Sequence, residues 1–136
     1  MLLQPKKTKF KKFKKNYLSN RNKTSVSKLC HGFIGLKALS SIRINSRQIE
    51  AVRQTMNREL GRKGKIWINL FPHISVTQTP TENRMGKGKG STSYWCAPIK
   101  VGMLLFEING VSPFKARQAL QKGASKLSLK TQIITR

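Results

Sequence analysis

The chain has no aspartate, and its only carboxylate side chains are Glu50, Glu59, Glu82 and Glu107, against 28 lysines and arginines. So few carboxylates leave little material for acid–base catalysis or for a hard-cation site. Cysteine is almost as scarce. Cys30 and Cys96 form no CxxC pair and no disulfide framework, and zinc ligation wants paired ligands at short spacing. Cys30 does sit beside His31, but His73 lies far off in sequence. No apolar run approaches the roughly 18 residues of a membrane span. Nor does any segment join an apolar face to a basic one at helical period, as an interfacial helix requires. These shortages exclude most enzyme, metalloprotein and membrane classes. We expect no catalytic residue, no bound metal and no cofactor.

What the chain has in abundance is positive charge. A net charge of +24 on 136 residues repels itself in any compact state, so such a chain lives with a polyanion. Nucleic acid is the first candidate, because each neutralised phosphate releases a counterion and that release drives binding. The length is that of one domain. Residues 5–23 hold nine cations, no acid, and Phe10, Phe13 and Tyr17 set among them. A stretch so charged cannot bury enough apolar surface to fold alone. A transit peptide is also basic and acid-free. Here, however, the cations are mainly Lys, Pro5 interrupts, and the apolar residues trace no single helical face. We read residues 1–31 as a basic arm and linker: its rings can stack on bases while Lys6, Lys7, Lys9, Lys11, Lys12, Lys14 and Lys15 contact phosphates.

The folded domain is expected over 32–136. "FIGLKAL" (33–39) and "IRI" (42–44) read as extended. A helix then starts at Asn45, a good N-cap with Gln48 completing a capping box, and Ile49, Val52, Met56 and Leu60 make one apolar stripe. Gly61 supplies the stop. Arg47, Arg53 and Arg58 lie off the stripe, on a basic outer face. "GKIWINLFP" (64–72) alternates as a strand, with "HISVTQ" able to extend the sheet. "YWCAPIK" (94–100), "GMLLFEING" (102–110) and "KTQIIT" (130–135) read as further strands. Ser112 and Pro113 open a second helix whose inward residues are Ala116, Ala119, Leu120, Gly123 and Leu127; the small ones suit close approach to a sheet. The fold class is α+β, two helices on a mainly antiparallel sheet.

Between the strands lies a long basic loop, expected over 79–93, with "RMGKGKG" at 84–90. It is not a nucleotide-binding P-loop: G-x-x-x-x-G-K-[ST] is absent, and a strand follows where a helix should open. Glu82 is the only acid within reach, and neither histidine has an obvious partner. Arg84, Lys87 and Lys89 alternate with Gly86, Gly88 and Gly90, so the loop reads as a cationic finger whose backbone can lie close to nucleic acid.

Several blocks carry a family resemblance. "QPKKTKFKK" (4–12), "GLKAL" (35–39), "RQIEAVRQTMNRE" (47–59), "GKIWINLFP" (64–72), "RMGKGKG" followed by "YW" (84–95), "LFEINGV" (105–111) and the pattern from Ala119 to Thr131 occur in the order seen in the L-sixteen family of large-subunit ribosomal proteins. The chain resembles that family almost end to end. The resemblance implies a fold of α/β-hammerhead type and a place on the large ribosomal subunit. The implied partners are large-subunit rRNA, tRNA at the A site or the adjoining P site, and neighbouring ribosomal proteins, with no membrane and no homo-oligomer. It implies that Lys6 to Lys15, with Phe10 and Phe13, thread into rRNA, with Arg47, Arg53 and Arg58 as further rRNA contacts. It also implies that Arg84, Met85, Gly86, Lys87, Gly88, Lys89 and Gly90 approach tRNA. Peptide-bond chemistry belongs to RNA, so no catalytic role transfers. Residues 16–31 and His73 depart from the pattern. Lys outnumbers Arg by 19 to 9, and Asn, Ile and Ser are plentiful, which suggests an A/T-rich genome. With the "MLL" start this points to a mitochondrial copy, a plastid or bacterial source being the alternative. A free basic nucleic-acid regulator or compaction protein is the rival reading; it predicts a helix-turn-helix or RNP aromatics, and neither is present.

Overall fold

The structure is a computed structural model that describes residues 3–14, 28–84, 86 and 88–136. The elements run β1 (Ile34–Ala38), β2 (Ile42–Asn45), α1 (Ser46–Glu59), β3 (Lys65–Ile68), β4 (Ile74–Gln78), β5 (Ser91–Ile99), β6 (Leu104–Asn109), α2 (Pro113–Ala124) and β7 (Thr131–Thr135). The α+β expectation is met, with the strands divided between two sheets. One has the order β3-β6-β1-β7 and the other β2-β5-β4, and the pairings are antiparallel.

Helix α1 forms for the reasons its sequence gives. The Asn45 side chain accepts the Arg47 N–H, and Gln48 Oε1 accepts the Asn45 N–H at 2.9 Å, closing the capping box. Ile49, Val52, Met56 and Leu60 are buried in one cluster with Ile34, Leu36, Phe106 and Ile108. Helix α2 differs in two respects. Ser112 makes no side-chain cap bond, so its start rests on Pro113. Gly123 serves a helix rather than a sheet: a methyl group there would press on Met56 and Val52 of α1. The two helices therefore meet at a glycine, and Lys122 Nζ donates to Glu59 Oε2 at 2.7 Å beside that contact.

The strand expected over 64–72 is shorter. β3 ends at Ile68, and after the Asn69 N–H donates to Leu105 O the chain turns out past Pro72, which has no N–H to continue a ladder. "HISVTQ" begins a strand in the other sheet. β5 is longer than expected, because Thr92 stands opposite Thr77 and Ser91 opposite Gln78, with Ser93 skipped where the register shifts. The basic connection is thereby cut to residues 79–90. Polar residues in an exposed half-strand carry no apolar alternation, which is why this extension was hidden.

Val52 is fully buried. Val52→Asp places an unpaired charge in the core and lowers stability by several kcal/mol or abolishes folding, about 3 kcal/mol or more. Arg53→Ala, on the opposite face, costs under about 1 kcal/mol. Thermal denaturation of both variants checks the assignment; the reverse order means the wrong face was placed inward.

Candidate nucleic-acid interface

The basic arm and the basic loop, far apart in sequence, lie together. Lys11 O accepts the hydroxyls of Ser75 on β4 and Thr92 on β5, each at 3.1 Å, so the arm is docked across that strand pair. Two lysines then lock arm to loop reciprocally: Lys12 Nζ donates to Lys89 O and Lys89 Nζ to Phe13 O, both at 2.6 Å. Leu3 packs on the edge of the core. Residues 3–14 have no helix or strand of their own, and the domain supplies the partners of Lys11 O, Lys12 Nζ and Phe13 O.

The alternate glycines have separate reasons. Gly86 and Gly88 hold φ of 92° and 84°, where a side chain is strained, and open space surrounds both. Gly90 needs no special φ; a methyl group there would collide with the Gln78 carbonyl across the base of the loop.

Where the arm's linker enters the domain, the sequence reading missed a residue. Glu107 lies within β6 with 0% of its surface exposed. Its Oε2 accepts the backbone N–H groups of Cys30 (3.1 Å), His31 (2.7 Å) and Gly32 (2.7 Å), and its Oε1 accepts the Asn69 amide at 2.7 Å. Burial alone would raise this carboxyl's pKa. The Gly32 N–H, the Asn69 amide and the N–H groups of His31 and Cys30 outweigh burial and hold it below the ordinary 4.5. Gly32 must be glycine to sit so near, since a methyl group would meet the Ile108 backbone. His31 gains partners that the sequence did not suggest. Its ring stacks on Trp67 at 5.8 Å between centroids, and its Nδ1 lies 3.9 Å from Glu107 Oε1. The one available signal was a lone carboxylate in the apolar run "LLFEI".

The expected contact residues fall into three groups. Lys6, Lys7, Lys9, Phe10, Lys11, Lys12, Phe13 and Lys14 are all exposed on the docked arm; Lys15 lies outside the described residues. Arg84, Gly86, Gly88 and Lys89 are exposed on the loop, while Met85 and Lys87 lie outside the described residues. On α1, Arg47 and Arg58 are exposed. Arg53, expected on the basic outer face with them, is half-buried and paired. Its Nε and Nη2 donate to the Glu50 carboxylate at 2.9 and 2.6 Å, and this fork holds Glu50 below the usual carboxylate range. Among the described residues no group of three His, Cys, Asp or Glu comes together, and no helix is long and apolar enough to cross a membrane.

Comparison with known proteins adds a second line. Residues 5–134 match the profile of the family described as ribosomal protein L16p/L10e. The chain is 48% identical over 135 residues to the large ribosomal subunit protein uL16 of Mesorhizobium japonicum, covering 99% of this chain and 98% of that protein. Identity and coverage are the same for the uL16 proteins of Sinorhizobium medicae and Cereibacter sphaeroides.

A depressed Glu107 pKa means that its contribution to stability is complete above the unfolded-state value and is lost as pH falls through the folded one. Stability measured against pH should therefore fall below about 4.5, the ordinary glutamate value. Glu107→Gln, which turns an amide toward four donors, should cost about 3 kcal/mol at neutral pH and flatten the acid limb. Denaturant titrations of both proteins across that range give the comparison; parallel curves would remove Glu107 from the junction.

Proposed function

The chain belongs to the ribosomal protein L16p/L10e family and is a structural constituent of the large ribosomal subunit, and from that premise we propose how its surface is used. Its partners are rRNA and other ribosomal proteins of that subunit. In our reading the docked arm, with Lys6 to Lys15, Phe10 and Phe13, holds large-subunit rRNA, and Arg47 and Arg58 add phosphate contacts from α1. Arg53 joins them only by sharing its guanidinium with Glu50. The 84–90 loop reaches tRNA at the A site, with the P site adjoining, and helps to position it. Catalysis stays with RNA and the chain acts by placement alone.

The observation that carries this reading is the reciprocal Lys12–Lys89 lock. It joins two basic segments into one surface whose only acid nearby in sequence is Glu82, and that residue is exposed. Such a surface meets a continuous polyanion rather than a small ligand. The rival regulator is disfavoured because the match to the ribosomal family runs over residues 5–134. On compartment, the lysine-rich composition supports a mitochondrial copy and the bacterial relatives support a bacterial ribosome. Locating the gene on organelle or bacterial DNA decides between them.

The test has two arms. Deleting residues 1–15 should weaken rRNA binding and flatten its salt dependence, by about 0.7–0.9 in log–log slope per lost phosphate contact; an unchanged slope would remove the arm from the interface. Replacing Arg84 and Lys87 with Ala, which leaves the Lys89 lock in place, should leave the chain in purified large subunits and lower A-site tRNA binding on the same particles. Normal tRNA binding at full occupancy would reduce the loop to an ordinary surface connection.

A further inference from the structure

The three-stranded sheet has two dissimilar faces. One carries Ile44, Ala97 and Ile99 into the core. On the other, Asn45 stands opposite Cys96, Cys96 opposite Ile74, and Tyr94 opposite Val76, and directly opposed residues share a face. Over this second face lies a cleft of about 650 Å³, within the range of small-ligand sites. Its floor is Ile74, Val76 and Cys96, its aromatic lining Phe13 and Tyr94, and its cations Lys14, Arg43 and Lys89. Among the described residues no aspartate or glutamate lines it.

We infer that this cleft takes one unstacked nucleotide of single-stranded rRNA, its base against Phe13 and Tyr94 and its phosphate at Lys14 and Lys89. The inference rests on the rRNA-binding reading above and names one subsite within it. Three observations carry it. Phe13 and Tyr94 are 42% and 36% exposed although both line a concavity, so each keeps aromatic side-chain surface to offer a planar apolar body. The surrounding charge has one sign, so the body must carry an anion; a base with its phosphate meets both demands, and an apolar peptide meets only the first. The geometry is also built in advance. The Lys89 ammonium gives one hydrogen bond to Phe13 O, which fixes the aromatic wall, and an ammonium has further protons to offer phosphate. The Asn45 and Gln48 groups at the cleft are engaged in the α1 capping box. Recognition here therefore comes from stacking and charge more than from base identity. Bases inside a duplex are already stacked and cannot enter.

The test uses the full-length chain with a short fluorescein-labelled oligouridylate and a blunt RNA duplex of the same length. Tyr94→Ala should weaken oligouridylate binding roughly tenfold, with the salt slope and duplex binding unchanged. Tyr94→Phe should restore it, and Lys14→Ala should lower the slope instead. Circular dichroism on each variant establishes that the fold is intact. Equal losses on both RNAs, or no loss on either, overturn the inference. In assembled large subunits, Tyr94→p-benzoylphenylalanine should crosslink to rRNA on irradiation; a crosslink to a neighbouring protein would give the cleft to a peptide and overturn it as well. Sedimentation separates the two levels of the argument. If Tyr94→Ala still travels with large subunits while oligouridylate binding is unaffected, the cleft reading alone fails. If the unsubstituted chain does not travel with them, the ribosomal placement fails and the cleft reading with it.

Discussion

Three successive peptide N–H groups, those of Cys30, His31 and Gly32, converge on one oxygen of the Glu107 carboxylate, and the route of the chain from its basic arm into its sheet depends on that convergence. Consecutive amides aimed at one anion form a small positive concavity of the kind that proteins use to hold phosphate. Here the anion is built in. Burying a carboxylate is costly, and the N–H groups and the Asn69 amide offset the cost with charge-assisted hydrogen bonds. The stack of His31 on Trp67 covers the same junction from outside.

The same logic accounts for the other carboxylates. Glu50 is forked by Arg53 within α1, and Glu59 ties α1 to α2 through Lys122. With Glu107, three of the four acids serve internal bonds, and Glu82 remains on the loop. Each acid spent inside leaves the outer surface more nearly uniform in sign. A uniform field costs stability through self-repulsion, and association with a polyanion relieves that cost. The scarcity of acid and the ribosomal setting are thus one physical fact seen from two sides.

Much of this was legible in the chain. The capping box at Asn45 and Gln48 and the stripe Ile49, Val52, Met56 and Leu60 gave α1 directly, because local hydrogen bonds and a 3.6-residue period act over short range. Strand ends were less legible. Residues 91–93 are exposed and polar, and the pairing of Ser91 and Thr92 is decided by a partner strand. Gly123 was seen as a close-approach residue, but its neighbour is a helix, since a glycine shows that space is needed and not what fills it. The lysines of the interface were conspicuous one by one. That arm and loop touch was not legible, because Lys12 and Lys89 meet through backbone carbonyls, which every residue possesses. Glu107 was passed over for the opposite reason: read as one of a few acids it was unremarked, and its meaning lay in the apolar residues around it.

One strand has a mechanical consequence. β5 is exposed over its first residues and buried over its last, and it is hydrogen-bonded to β4 along one edge and to β2 along the other. Nine residues of strand span roughly 30 Å. The basic loop is thus mounted on a cantilever whose clamped end is the core. A pull on the tip is carried as tension along covalent backbone and as shear across two ladders, the β4–β5 ladder shifting register once, between Val76 and Thr77. Such a mounting is stiff lengthwise and yields, if at all, by peeling from its free end, where Ser91 faces Gln78. A load on the loop thus reaches the core through the buried end of β5, which is paired with β2, the strand that runs directly into α1.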